Sequence, residues 1–227
     1  PPFGSMFLSY SLKRAGFKVK IFDEQFENSN KLYSLVKKHN PLWVGFSVMT
    51  GPSITNSLKL SKKIKEINPN IKIVWGGPHP TLLPKNTLKH RLIDIIVIAE
   101  GERTVVDLTK TLKNSKDLIE VKGIGYKKEN NIILNPPREY ITDWDNEVGL
   151  DWEGVNIRKL IDPQFGGRYN KLSFITSRGC PFRCSFCWNL EANNRKWRGW
   201  SAKRVIEEIK TLIPYGINYI VLEDDNF

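Results

Sequence analysis

Apolar positions in the first half of the chain alternate between two periods. Phe7, Leu8 and Leu12 recur at helical spacing ahead of Gly16, a helix stop, and Phe17, Val19 and Ile21 then alternate as a strand. The pattern repeats. Leu32, Leu35 and Val36 predict a helix ending near Asn40, followed by the apolar run "LWVGFSV". Ile54, Leu58 and Ile64 predict a third helix leading to "IKIVW". A weaker helical stretch at Asn86 to His90 precedes "IDIIVIA", and Val105, Leu108 and Leu112 mark a further helix.

Short apolar strands alternating with helices predict an α/β, doubly wound (flavodoxin/Rossmann-like) parallel sheet with both faces covered. In such sheets ligands gather outside the carboxyl ends of the strands, where the winding order reverses. Three turns lie at those ends: "SVMT" at Ser47 to Thr50, "GGPHPT" at Gly76 to Thr81, and "EGER" at Glu100 to Arg103. Because the sequence opens on "PPFG" and a helix, a strand preceding residue 1 is expected.

"IGYKKENNIILN", Ile124 to Asn135, reads as a small hairpin turning at Glu129 to Asn131. The following "PPREYITDWDNEVGLDWEGVNIRKLIDPQFGG" has no clean period and reads as a linker or wrapping segment. "KLSFITS" then opens a second region as a strand. The expected organisation is a sheet domain over 1–115, hairpin and linker over 116–170, and a second domain over 171–227.

The formal charge of +11 raises the question of nucleic acid, but lysines such as Lys37, Lys38, Lys62, Lys63, Lys110 and Lys113 fall on the solvent faces of the expected helices. "NNRKWRGW" mixes charge with tryptophan, a combination that can stack on and neutralise RNA. RNA is nevertheless not the expected partner. No stretch approaches the roughly 20 apolar residues of a membrane helix and no export signal opens the chain, so a soluble, cytoplasmic protein with no membrane partner is expected.

All three cysteines, Cys180, Cys184 and Cys187, fall within eight residues as C-x3-C-x2-C. Their odd number and the absence of an export signal argue against structural disulfides. Placement beside Gly179 and Pro181 in a turn argues against inert core thiols. Zinc wants four protein ligands, and the only histidines, His39, His79 and His90, lie in the other domain. Three thiolates suit an iron-sulfur cluster held by three corners, its fourth iron open to a small molecule.

The motif, with an aromatic Phe186 before the last cysteine and a strand just ahead, resembles the cluster loop of radical S-adenosylmethionine (SAM) enzymes. The resemblance implies that Cys180, Cys184 and Cys187 bind a 4Fe-4S cluster whose unique iron chelates SAM. "KWRGWSAKRVIEEIKTLIPYGINYIVLEDDNF" resembles the segment after that loop in members carrying a cobalamin-binding domain. It implies the start of a partial (β/α) TIM-like barrel, ended here at its second strand. Where many members carry a Gly-Gly-Glu motif for the methionine amino group, Glu223, Asp224 and Asp225 stand instead.

The same resemblance implies that the first domain binds cobalamin through its three turns, with Ser47, Thr50, Gly76, Gly77, Pro78, His79, Glu100, Gly101 and Glu102 as cofactor contacts. The Asp-x-His-x-x-Gly loop of mutase-type cobalamin domains is absent, and His79 is expected as a turn residue or a contact to the corrin periphery. The implied activity is reductive cleavage of SAM, in a methyltransferase acting on an unactivated carbon or, alternatively, a cyclase or rearrangement enzyme. An electron donor such as flavodoxin or ferredoxin is the implied partner. A non-catalytic zinc module contacting RNA is the reading from a different class.

Overall fold

The computed structural model describes residues 1–129 and 131–227. The chain opens with α1 (Phe3–Arg14), whose buried face carries Met6, Phe7, Ser9 and Leu12. Residues 17–21 keep the expected in-out alternation of burial but form no β-ladder, so this expected strand is an extended segment. Two compact units follow from the contacts: Pro1–Ile21 joined with Ile141–Phe227, and Phe22–Tyr140.

Within Phe22–Tyr140 the elements run α2 (Ser29–His39), β1 (Trp43–Ser47), α3 (Pro52–Ile67), β2 (Lys72–Gly76), α4 (Pro78–Leu82), α5 (Pro84–Leu88), β3 (Ile95–Val97), α6 (Glu102–Lys113), β4 (Ile124–Lys128) and β5 (Asn131–Leu134). Local chemistry sets the ends of α2. The Asn28 side chain accepts from the Lys31 amide, and Asn40 adopts the left-handed conformation that closes the helix. The core joins Leu32 and Val36 of α2, Leu60 and Ile64 of α3, Ile73 and Trp75 of β2, and Ile96 of β3.

The sheet is mixed. Its order is β1-β2-β3-β4-β5, with β1, β2 and β3 parallel and β4 and β5 antiparallel. The expected all-parallel pattern fails at β4 because ten residues, 114–123, separate it from α6 and carry the chain back along the sheet before it pairs. The strands follow sequence order throughout, so a reversal of winding is not among the described strands. The expected hairpin forms and belongs to this sheet. Its turn residue Asn130 lies outside the described residues.

The other unit completes α1 with α7 (Trp144–Glu147), α8 (Ile157–Leu160), β6 (Asp162–Gln164), β7 (Tyr169–Phe174), β8 (Ser177–Arg178), α9 (Asn189–Asn193), β9 (Arg198–Gly199), α10 (Ala202–Leu212) and β10 (Tyr219–Leu222). β10 pairs parallel with β7 across the α10 crossover, β6 pairs antiparallel on the other side, and β8 and β9 form a separate two-stranded ribbon. No closed barrel forms among the described residues.

The segment that reads as a linker supplies much of this unit's core. Ile141, Trp144, Val148, Leu150, Trp152 and Ile157 are buried with Met6, Phe7, Leu172, Phe174 and Trp200. Trp152 stacks on Phe174 with centroids 6.2 Å apart, and Phe7, Trp144 and Trp200 meet edge to face or tilted at 6.2–6.4 Å. Large aromatics bury 150–250 Å² each, so a few of them build a core on irregular backbone without any repeat in the sequence. Among the described residues no helix is long and apolar enough to cross a membrane.

Candidate functional site

Each unit gathers its sequence-predicted residues at the carboxyl ends of its parallel strands. In the Phe22–Tyr140 unit, Ser47 ends β1 directly opposite Gly76 of β2. Gly77 then takes φ +92°, and a Cβ there would lie 3.1 Å from the Val48 amide nitrogen and 3.2 Å from its carbonyl oxygen. Only glycine meets both conditions. Gly76 has no such constraint, since its nearest neighbour would be Val97 Cβ at 3.8 Å.

Side chains and amides stitch the three turns together. Thr50 Oγ1 lies 3.1 Å from His79 Nδ1, and the His79 amide donates to the Val48 carbonyl at 3.0 Å. Burial holds the His79 imidazole below its ordinary pKa, which keeps the ring neutral at pH 7. The hydroxyl of Thr81, which no sequence signal singles out, donates to the Gly77 carbonyl at 2.8 Å and accepts from the Ala99 amide at 3.0 Å. That bond ties the second turn to the third. Pro78 begins α4 beside these contacts. Glu100, Gly101 and Glu102 are buried at the start of α6, unlike the exposed Ser47 and Thr50.

In the other unit, β7 runs into the cysteine loop and β10 into "EDDNF". The Asp224 carboxylate accepts from the Thr176 amide at 2.9 Å, the Thr176 hydroxyl at 3.2 Å, the Ser177 hydroxyl at 2.6 Å and the Ser177 amide. Asp225 accepts from the Gly179 amide at 3.0 Å. Glu223 is exposed and accepts from the Ser173 hydroxyl at 2.9 Å. The sequence treats the three carboxylates alike, and the structure assigns them different partners.

Gly179 adopts φ +91°, and a Cβ there would sit 2.1 Å from the Lys196 carbonyl oxygen, so the chain before Cys180 admits no side chain. Arg178 lies over the rings of Phe7, at 4.9 Å, and Trp144, at 5.3 Å, another feature without a sequence signal. The three cysteines are free thiols, Cys184 exposed and the other two partly so. The Cys187 amide donates to the Cys184 carbonyl at 3.0 Å, closing a turn between two of them. Phe186 is 91% exposed.

The donor set fits a cluster held by three corners: three reduced, accessible thiols on one loop, with no histidine in that unit to complete a zinc site. The loop as it stands does not draw the sulfurs together. Among the described residues no three His, Cys, Asp or Glu side chains converge as a metal site.

Residues 1–109 match the family model described as the B12 binding domain. The whole chain aligns at 34% identity with the uncharacterized methyltransferase PH0819 of Pyrococcus horikoshii, covering 49% of that protein. It aligns at 33% with the anaerobic magnesium-protoporphyrin IX monomethyl ester cyclase of Synechocystis sp., again over the whole chain and over 45% of that protein. Among solved structures, the cobalamin-dependent S-adenosylmethionine radical enzyme OxsB, with aqua-cobalamin and S-adenosylmethionine bound, superposes on 100% of this chain. The TM-score is 0.80, the identity 24%, and the match covers 32% of that chain. The chain is thus similar in sequence to a methyltransferase and a cyclase, and in fold to a cobalamin-dependent radical SAM enzyme. These alignments take in both the stitched turns and the cysteine loop, while the chain spans about half the length of the curated relatives it matches.

Proposed function

We propose that the chain holds the cofactors of a cobalamin-dependent radical SAM enzyme. The observation that carries this reading is a loop of three accessible free thiols after β7, in a chain whose fold matches that of such an enzyme along its whole length. Cys180, Cys184 and Cys187 would ligate a 4Fe-4S cluster, with Phe186 and the carboxylates after β10 beside bound SAM. Among those carboxylates Glu223, exposed with one hydroxyl donor, has acceptor capacity for an ammonium group. The parallel β7-α10-β10 unit supports the start of a (β/α) barrel, whose ligands gather at the strand ends.

Cobalamin would lie against Ser47, Thr50, Gly76, Gly77, Pro78 and His79, with Glu100, Gly101 and Glu102 forming the third turn. Gly77 lets the turn after β2 pack against the Val48 backbone, and Thr50 and His79 offer neutral polar atoms beside it. When bound, the cluster supplies the electron that splits SAM and cobalamin carries a methyl group. The protein's part is to fix the thiols on a loop whose backbone conformation is enforced at Gly179. The proposed outcome is methyl transfer to an unactivated carbon, with electrons from a small donor such as flavodoxin or ferredoxin. The 33% identity to a cyclase supports ring formation as the second reading.

Anaerobic reconstitution with iron, sulfide and cobalamin, followed by metal and sulfide analysis, tests the assignment. The expected result is about four irons per chain with retained cobalt, and loss of iron when the three cysteines are changed to alanine. Zinc without sulfide would overturn it in favour of a zinc module.

A further inference from the structure

Asp224 receives four donors from two consecutive residues, the amide and hydroxyl of Thr176 and the amide and hydroxyl of Ser177. All four meet on Oδ1, and the Thr176 hydroxyl also reaches Oδ2 at 3.2 Å. Thr176 and Ser177 are buried, at 5% and 1% exposure, so the pairing is fixed rather than solvated. Charge-assisted bonds of this kind are among the strongest available to a side chain. Two residues past Ser177, the Gly179 amide donates to Asp225, immediately before Cys180. Two adjacent carboxylates at the end of β10 therefore grip the neighbouring strand's continuation over Thr176 to Gly179.

We infer that Asp224 and Asp225 are positioning residues which latch the start of the cysteine loop to the end of β10. The donors to both side chains come from Thr176, Ser177 and Gly179, so the bonds run along the chain that leads to Cys180. The role in cluster retention rests on the proposed function; the latch itself does not. It sets the neighbouring acids of "EDDNF" apart by partner, Glu223 on the Ser173 hydroxyl and the two aspartates on the chain before Cys180.

Asp224→Ala, Asp224→Asn and Asp225→Ala, made in the intact protein, test the inference by two readouts. On the metal-free protein, amide hydrogen exchange at Thr176 and Ser177 is expected to accelerate in Asp224→Ala, and exchange at Gly179 in Asp225→Ala. On the reconstituted protein, iron release to a ferrous chelator is expected to be about tenfold faster or more in Asp224→Ala, as for other residues that orient metal ligands. Asp224→Asn should restore both, because its carbonyl oxygen still accepts the two amides.

Wild-type exchange at these amides in the alanine variants would overturn the latch. So would an Asp224→Asn variant as impaired as Asp224→Ala, since that outcome makes negative charge decisive, as for a cation ligand. Should Asp224→Ala fail to fold, Asp225→Ala removes a single bond and leaves the Gly179 exchange to decide. A wild-type protein that takes up no iron and sulfide would overturn the cluster reading alone, and the metal-free exchange would still judge the latch.

Discussion

Residues 22–140 form a sheet whose strands follow one another in sequence order, and their core repeats helix and strand periods. The other unit takes its first helix from one end of the sequence and the rest from residue 141 onward, around individually placed aromatics. The first core is distributed over many aliphatic contacts, each replaceable by a residue of similar shape. The second concentrates its burial in a few large rings. Robustness to substitution should therefore differ sharply between two units of similar size.

Trp144→Ala should show the largest effect. The residue is 2% exposed and touches Phe7 and Trp200, so its truncation is expected to cost about 3–5 kcal/mol, read by denaturant unfolding and by amide exchange in α1 and β7. Ile73→Val in the sheet core should cost about 0.5–1.5 kcal/mol. Equal losses would break the contrast. Next comes Gly77→Ala, where a side chain at φ +92° against Val48 is expected to cost about 1–3 kcal/mol and to lower cobalamin retention together with melting temperature.

Ser201→Ala removes the hydroxyl that accepts from the Arg204 amide at the start of α10 and should cost about 1 kcal/mol by the same unfolding assay. The smallest effect is a pH slope. His79 is held neutral by burial, so the unfolded state binds more protons once pH falls below the ordinary imidazole value near ~6.5. Stability should then decline as pH drops through that value toward the lower folded one. His79→Gln should flatten the slope without abolishing it, because burial and the charges of Lys127 and Arg91 lower His90 in the same direction.

The contrast also explains what was legible beforehand. α2, α3, α6, β1 and β2 announce themselves by period, and the strand-end turns follow from the alternation of the elements. The direction of β4 was not legible, because hydrophobic alternation is the same for parallel and antiparallel neighbours. Nor was the core role of Trp144 and Trp152, since irregular backbone imposes no spacing on the side chains it buries. At the sites, Gly77, His79 and the cysteines stood out by residue type and position. Thr81, Arg178 and the separate tasks of Asp224 and Asp225 depend on partners 18 or more positions away, which no local pattern records.

The Ser9 hydroxyl meets the Asp151 carboxylate at 2.5 Å, and Lys13 joins it at 2.7 Å, across a sequence separation of 142 and 138 residues. Synthesis is vectorial, so at 5–20 residues per second α1 leaves the ribosome roughly 7–30 s before its partners exist. Throughout that interval the sheet of residues 22–140 can close, while Met6 and Phe7 wait with no native surface to cover them. Until residue 151 is made, α1 lacks the surface that covers it, and slowing translation of residues 15–150 would lengthen its exposure in direct proportion.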